Sequence, residues 1–520
     1  MAKEGTVNNG EARNKRNVAD YFSRQTRFWK IIYAGNQDEI DTFYNTEIIN
    51  RKQAVLRFIG EHAGNNAMKI LDAGCGSGVF VDELLKLGHI VVGMDIATEM
   101  IRETSRISEE NPGAPVLCVQ GDIEKLTTPP AIVLGCHKIG LGVIRALGAK
   151  NVPVVGVYYN AMDMGCVSKY VIARYQCPHP DQDEQGFLSF LLGLAAEWGG
   201  AVLVPSDDAT LIPVSRHKNT LEAHFKVVAD KWQVTEQAIF KQHTYALADK
   251  IGVPSPATKV PESMEDAIDF VKGIGFPCLL KPTVGHTFFQ LFRRKMILAH
   301  ELDQLREAYR KTEEAGVEMM IQEFIPGDDK SGVNYNSFFL NGRPLLEVTA
   351  EKVRLTPPYI GFPRVVVSKY IPEVLDSGRS FLRALGYNGF SCMEFKKDAR
   401  NGIYKLMEIN ARLNLSTPLS VRAGINFPYV AYRYALNGEL PEPAAPFKEG
   451  IYWIDIGKDI SESIKSFGKE RISPTEYLRP YLKPHVFTIL SLNDPMPLAK
   501  RALDIVRALP KALARGLHER

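Results

Sequence analysis

The sequence has no CxxC pair, although seven cysteines are scattered through its 520 residues. Their spacing argues against a zinc site or a disulfide frame and for reduced thiols in a cytosol. Long apolar runs are also missing: no window approaches the roughly 18 consecutive apolar residues of a membrane-spanning helix. The first stretch, MAKEGTVNNGEARNKR, lacks the apolar core of a signal peptide. Charge of one sign is scarce too. A formal net charge of +3 is too small to imply a nucleic-acid surface. What remains is ordinary for a globular protein, 45% hydrophobic and 24% charged residues in a chain long enough for several domains. These features predict a soluble, cytoplasmic, multidomain protein without nucleic acid as a partner.

Against that background, the stretch LMEINARLN, from Leu406 to Asn414, is unusual. Glu408, Asn410 and Arg412 alternate there with Ile409, Ala411 and Leu413. In a β-strand, alternate side chains point to one face, so a carboxylate, an amide and a guanidinium would share one space. Buried, such a set is costly unless something pairs with it. A solvated strand face is the plain alternative, and the surroundings of the triplet must decide.

Along the chain, residues 1–50 are polar and aromatic without a motif. From Met68 the pattern is strand, turn, helix: KILDAGCGSG, FVDELLKLG, HIVVGMD, a helix, then VLCVQGD. TTPPA, Thr127–Ala131, has the composition of a linker. A second such unit follows, AIVLGCHKIGLGVIRALGAKNVPVVGVYY. Continuous apolar strands alternating with helices predict parallel sheets covered on both faces. Near Gln242 the character changes to strands separated by turns and helices, as in an α+β domain. The reading is therefore an α/β and α+β multidomain chain. Its predicted divisions are a partial Rossmann-like module over 1–127, an α/β domain over 131–240, an α+β domain over 241–443 and an extension over 444–520.

Glu394, in GFSCMEFKKD, lies fourteen residues before Glu408, and the turn signal KDARNG between the two runs predicts a hairpin that sets the carboxylates face to face. Glu394, Glu408 and Asn410 form an all-oxygen set suited to Mg²⁺. Arg412, next on that face, is placed to neutralise charge on a transferred phosphoryl group. Lys281, in the apolar CLLKP, is a lone cation at a strand end. QEFIPGDD offers backbone groups at Phe324 and Ile325 with acids on either side, which suits a hinge for adenine and ribose.

Together these motifs resemble the ATP-grasp superfamily, and within it the D-aspartate-ligase-like carboxylate–amine ligases, over about Ala131 to Pro443. The resemblance implies that Glu394, Glu408 and Asn410 hold one or two Mg²⁺ ions and that Arg412 contacts the γ-phosphate and acyl phosphate. It further implies that Lys241 and Lys281 bind ATP phosphates, while Gln322, Glu323, Phe324, Ile325 and Asp328 surround adenine and ribose. One departure stands out. After the KP strand the superfamily has a glycine-rich phosphate loop, whereas this chain reads KPTVGHTFFQLFRRKMI with Gly285 as its single glycine. His286, as an ATP contact, and Lys295, as a catalytic cation, are the side chains placed to take over that work; a surface loop is the alternative for His286. The implied reaction passes the γ-phosphoryl to a carboxylate, and an amine, or a thiol, then displaces phosphate.

LDAGCGSG, Leu71–Gly78, closes a strand and opens a helix, the geometry in which glycines let a ligand approach a helix N-terminus. With Asp95 ending HIVVGMD and Asp122 in VQGDI, it resembles the S-adenosylmethionine site of class I methyltransferases. The implied contacts are Asp72, Gly74, Gly76, Asp95 and Asp122. Only three strands precede TTPPA, where such enzymes need about seven. A cofactor-binding remnant, a structural relic and a methyltransferase completed by another chain all fit that truncation.

Other features yield less. CHKIGLG suggests co-substrate contact rather than ATP contact, and CPHPDQDE reads as a surface loop. The acids of PSDDAT, Pro205–Thr210, suit a helix cap, with a substrate amine as the alternative. The basic amphipathic tail, interrupted by Pro510, is either a helix packed on its domain or a weak contact with an anionic membrane surface. The resulting expectation is an ATP- and Mg²⁺-dependent ligase acting on a small or polymer-linked carboxylate and an amine, with homodimers as in the family. A non-catalytic nucleotide-binding scaffold with degenerate modules, or methyl transfer as the main activity, are the competing readings.

Overall fold

The structure, a computed structural model, describes residues 53–57, 59, 67–73, 75, 78–95, 97–110, 116–120, 128–282, 296–359, 361–442, 446–465 and 472–518. The chain divides into two compact units, Met1–Thr128 and Pro129–Arg520.

In the first unit, β1 (Lys69–Ala73), β2 (Ile90–Asp95) and β3 (Val116–Gln120) form a parallel sheet in that order. The helices Val79–Lys86 and Thr98–Glu110 make the crossovers that parallel pairing requires. Val81, Leu84 and Val91 are buried between helix and sheet. Gly78 starts the first helix at φ +81°, and a Cβ there would come within 2.5 Å of the Ile107 side chain. Only glycine satisfies both demands.

The second unit begins with β4 (Ala131–Leu134), β5 (Val154–Tyr158), β6 (Val171–Gln176), β7 (Val202–Pro205) and β8 (Lys226–Val227). All pair in parallel, in the order β6-β5-β4-β7-β8. β4 and β7 are buried at every residue, which explains their unbroken apolar runs. The chain leaves β4 toward one edge and returns on the other side at β7, so the order reverses between these two strands.

A four-stranded antiparallel sheet follows, ordered β11-β10-β12-β9, from β9 (Thr258–Lys259), β10 (Cys278–Pro282), β11 (Ile297–Ala299) and β12 (Met319–Glu323). The largest sheet contains β13 (Gly332–Leu340), β14 (Arg343–Thr356), β15 (Phe362–Ser368), β16 (Gly389–Lys397), β17 (Tyr404–Asn410), β18 (Tyr452–Ile454) and β19 (His485–Phe487). Its order is β17-β16-β13-β14-β15-β18-β19, so the stretch beyond 444 supplies its last two strands. One face of this sheet packs Val333, Tyr335, Phe339, Met393 and Phe395 against Phe381 and Leu382 of the helix Leu375–Leu385. The opposite face carries Phe338, Phe390 and Cys392, which share a core with Val143 and Leu147 of the helix Lys138–Gly148.

The final helix, Met496–His518, runs through Pro510 without a break, contrary to the interruption expected from its sequence. Proline's fixed φ is helical and its cost is local, so the surrounding turns carry the helix past it. No helix among the described residues is long and apolar enough to cross a membrane.

Candidate functional site

The hairpin of β16 and β17 sets Glu394 opposite Glu408 and Cys392 opposite Asn410. A bulge between these pairs and Phe395–Leu406 displaces Met407, which keeps Glu408 and Asn410 on the face that carries Glu394. Asn334 on β13 is the register partner of Glu394 and stands on that face as well. The three predicted oxygen ligands therefore share one surface, as their alternation required.

Two lysines neutralise the carboxylates. Lys241 Nζ donates to Glu408 Oε2 at 2.9 Å, and Lys352 forms a contact ion pair with Glu394. Burial alone would push the Glu408 carboxyl up, but the charge and hydrogen bond of Lys241, with Lys281 and Arg412 behind them, hold it below the usual range. Lys281, near the end of β10, donates to Gln322 Oε1 at 2.6 Å, and Gln322 in turn donates to Thr258 Oγ1 at 2.8 Å. Burial, with the positive charge of Lys241, depresses Lys281 to about 7. Its charged form is therefore disfavoured where no anion accompanies it.

At the end of β12, Glu323 accepts from Lys405 Nζ at 2.8 Å and forms an ion pair with Arg400, tying that strand to the β16–β17 turn. Phe324 lies under Lys396 Nζ, 5.5 Å from its ring centre. Ile325 is buried, and Asp328 caps a short 3-10 turn by accepting from Ser331 N at 3.0 Å. Arg412, just beyond β17, is held along one edge of its guanidinium by Asp208: Nε donates to Oδ1 at 2.9 Å and Nη2 to Oδ2 at 3.0 Å. His286 and Lys295 lie outside the described residues.

Sequence reasoning missed Lys352, Asn334 and Tyr245, whose hydroxyl bonds the Met407 carbonyl. No local signal singled out the first two, since Lys352 shares its strand with Glu351 and Arg354, and Asn334 shares its own with Asn336 and Ser337. Of the paired acids at the start of the helix Asp208–Arg216, Asp207 is the cap and Asp208 is not.

The donor set facing this surface is all oxygen, and Asn334 Oδ1 is buried there with no hydrogen-bond partner. Glu394, Glu408 and Asn410 thus fit a hard divalent cation.

Residues 361–454 match the family described as "ATP-grasp in the biosynthetic pathway with Ter operon". In fold, the chain is similar to a biotin carboxylase–ATP-analogue complex from Campylobacter jejuni, with a TM-score of 0.52 and 16% identity over 63% of this chain and 75% of that one. It is also similar to the biotin carboxylase domain dimer of Hydrogenobacter thermophilus 2-oxoglutarate carboxylase, described with MgADP and bicarbonate (TM-score 0.50, 18% identity, 62% and 73% covered). The larger unit has the ATP-grasp fold. Among curated relatives, a D-aspartate ligase of Enterococcus faecium (strain Aus0004) is 26% identical over 269 residues. The match takes in 45% of this chain and spans 62% of the ligase. The ATP-grasp unit thus resembles carboxylate–amine ligases.

Residues 70–137 match a methyltransferase domain family, so the first unit is methyltransferase-like. Asp72 Oδ2 is buried there without a hydrogen-bond partner, and burial, with Asp95 adding, raises its carboxyl to about 6. Asp95 Oδ1 accepts from Ala97 N at 2.8 Å. Gly74, Gly76 and Asp122 lie outside the described residues.

Proposed function

We propose that the larger unit is an ATP- and Mg²⁺-dependent ligase that activates a carboxylate as an acyl phosphate and passes the acyl group to an amine. The observation that carries this reading is the register pairing of Glu394 with Glu408, with Asn410 on the same face and Lys241 and Lys281 converging on it. In this reading Glu394, Glu408 and Asn410 hold Mg²⁺, which would supply charge neutralisation on the phosphates. Lys241 and Lys281 bind phosphate oxygens, and Arg412 takes the γ-phosphoryl as it moves. Backbone groups of Phe324 and Ile325, with Gln322, Glu323 and Asp328 around them, frame the nucleoside; His286 and Lys295 serve the phosphates from 283–295.

The carboxylate oxygen attacks phosphorus and ADP leaves with the bonding pair. The amine nitrogen then bonds the acyl carbon, the C–O bond to phosphate breaks, and phosphate departs with that pair. Two protons leave the starting ammonium on the way to the amide. Positioning and charge neutralisation are the protein's contribution, since phosphoryl transfer needs little covalent help. We assign 131–240 to co-substrate binding, 241–443 to the nucleotide site and 444–520 to an extension that completes the large sheet with its last two strands, and we place the protein in the cytoplasm as a homodimer.

The test is ADP release with Mg·ATP across a panel of carboxylates, with D-aspartate, other amines, a thiol and hydroxylamine as acceptors. Carboxylate-dependent ADP release that Glu408→Gln abolishes without unfolding supports the reading. Full activity in that variant would sink it.

For the first unit we propose retained binding of S-adenosylmethionine without methyl transfer, with the orphaned Asp72 oxygen facing its amino group. Calorimetric titration should show binding that Asp72→Asn weakens at least tenfold; no binding to the parent protein would leave a purely structural relic.

A further inference from the structure

We propose that Asp208 is the binding group for the ammonium of the amine co-substrate, and that it becomes available by giving up Arg412. This inference rests on the ligase reading above. The ion pair joins residues 204 positions apart in the sequence, and it uses the Nε–Nη2 edge of the guanidinium in a two-point fork. A phosphoryl group recognised by the same edge needs the same fork geometry. The remaining donor contact, Nη1 to Leu413 O, is long at 3.3 Å. Arg412 therefore cannot grip a phosphoryl group along that edge while Asp208 holds it, and the arrival of phosphate releases a carboxylate beside the acyl group to be attacked.

The neighbouring acid shows why Asp208 is free for such work. Asp207 Oδ2 accepts from His137 Nε2 at 2.7 Å and from the Tyr159 hydroxyl, while Oδ1 accepts from Thr210 N at 2.9 Å and Thr210 Oγ1 at 2.7 Å. That carboxylate is saturated and caps its helix. Asp208 stands next to it in the first helical turn, outside that network, its side chain 49% exposed.

Location argues the same way. Asp208 follows β7, next to the point between β4 and β7 where the strand order reverses, and ligands of open α/β sheets bind outside the strand ends at such points. A cavity of about 490 Å³ reaches Arg412 and is lined by Phe338, Phe390, Tyr434, Glu222 and Asp230, with Asp208 just outside its lining beside Arg412. Phe338 and Phe390 put part of its wall on the sheet face that carries Glu394, while Leu211, Tyr387 and Ala411 belong to the core on the opposite face. Its volume suits the body of a small amine.

The exchange makes amine capture conditional on phosphoryl placement, so water and free amine find no organised acceptor site before the acyl phosphate exists. The experiment compares Asp208→Asn and Asp208→Glu with the parent protein. ADP release would be followed with the best carboxylate of the panel and either D-aspartate or glycine, which carry an ammonium, or hydroxylamine, which is uncharged at neutral pH. With the ammonium-bearing acceptor, kcat/KM for Asp208→Asn should fall at least tenfold further than with hydroxylamine, mainly through KM of the amine. Asp208→Glu should recover part of that loss. An equal fall with both acceptors would assign Asp208 to holding Arg412 alone and overturn the proposal, as would no fall with either. Absence of hydroxylamine-dependent ADP release in the parent protein would instead fail the ligase reading, and this inference with it.

Discussion

Tyr245 donates its hydroxyl to the main-chain carbonyl of Met407 at 2.6 Å, bracing the bulge that turns Glu408 onto the carboxylate face. Lys241 stands one turn earlier on the same helix, Lys241–Lys250, and bonds Glu408 itself. A single helix face thus fixes both the backbone and the charge of one proposed metal ligand. Tyr245→Phe should cost about 1 kcal/mol of stability, one neutral hydrogen bond. The larger effect should be a several-fold rise in KM for Mg·ATP, measured with ADP release at fixed carboxylate. An unchanged KM would detach the bulge from nucleotide binding.

Lys281 gives a proton signature. With its ammonium depressed to about 7, ligand-free protein at pH 8 holds it mostly unprotonated. Phosphates binding beside it would restore the charge, so nucleotide binding at pH 8 should take up close to one proton. Titration calorimetry in two buffers of different ionisation enthalpy reads that uptake directly, and Lys281→Met should abolish it. An unfolded lysine titrates near 10.4. The unfolded chain therefore binds more protons between about pH 7 and 10, and this group alone makes the fold more stable as pH rises through that window.

Asp459 is a structural counterpart to the proposed metal-binding acids. Fully buried, it accepts from Arg354 Nε at 2.9 Å and Nη2 at 2.7 Å and from the Tyr481 hydroxyl at 2.6 Å, with Arg364 Nη1 3.6 Å away. Removing its charge leaves the buried Arg354 guanidinium without its two-point partner. Asp459→Asn should therefore cost about 3–5 kcal/mol, visible in urea unfolding. A loss below 1 kcal/mol would mean that water enters that core.

Asp207 predicts an acid response. Burial would raise its carboxyl, but the hydrogen bond and charge of His137, with the hydroxyls of Tyr159 and Thr210, bring it to about 2. Its contribution is complete above the unfolded value near 3.9 and disappears as pH falls from about 4 toward 2. Asp207→Ala should destabilise the fold at pH 7 by about 1–2 kcal/mol through the lost cap. It should also flatten stability between pH 4 and 2.

Much of the site is written in local pattern. The alternation of Glu408, Asn410 and Arg412, and the turn residues before them, are enough to pair β16 with β17 and to place Glu394 opposite. The three strands ahead of TTPPA likewise follow from short-range periodicity. Lys352 was not legible as the partner of Glu394, because the two meet across β13, which lies between their strands. The Asp208–Arg412 pair was hidden by distance along the chain, and a cap was the sufficient local account of both acids in PSDDAT. Pro510 misled for the opposite reason: a local rule about proline was outweighed by the rest of a 23-residue helix.

The first α/β module of the larger unit is fastened by residues far downstream of it. Arg145 donates to Asp494 at 2.9 Å, a partner 349 positions downstream, and Asp494 also accepts from Ser168 Oγ and Lys169 N. Lys138 likewise pairs with Asp455 at 2.6 Å. At roughly 5–20 residues per second of synthesis, Arg145 leaves the ribosome on the order of 20–70 seconds before its carboxylate exists. The module's parallel sheet can form early, but its outer charges must stay hydrated until Asp455 and Asp494 have been made. A ribosome that stops between Asp455 and Asp494 would release a nascent chain with the carboxylate face already coded and its clasp half made.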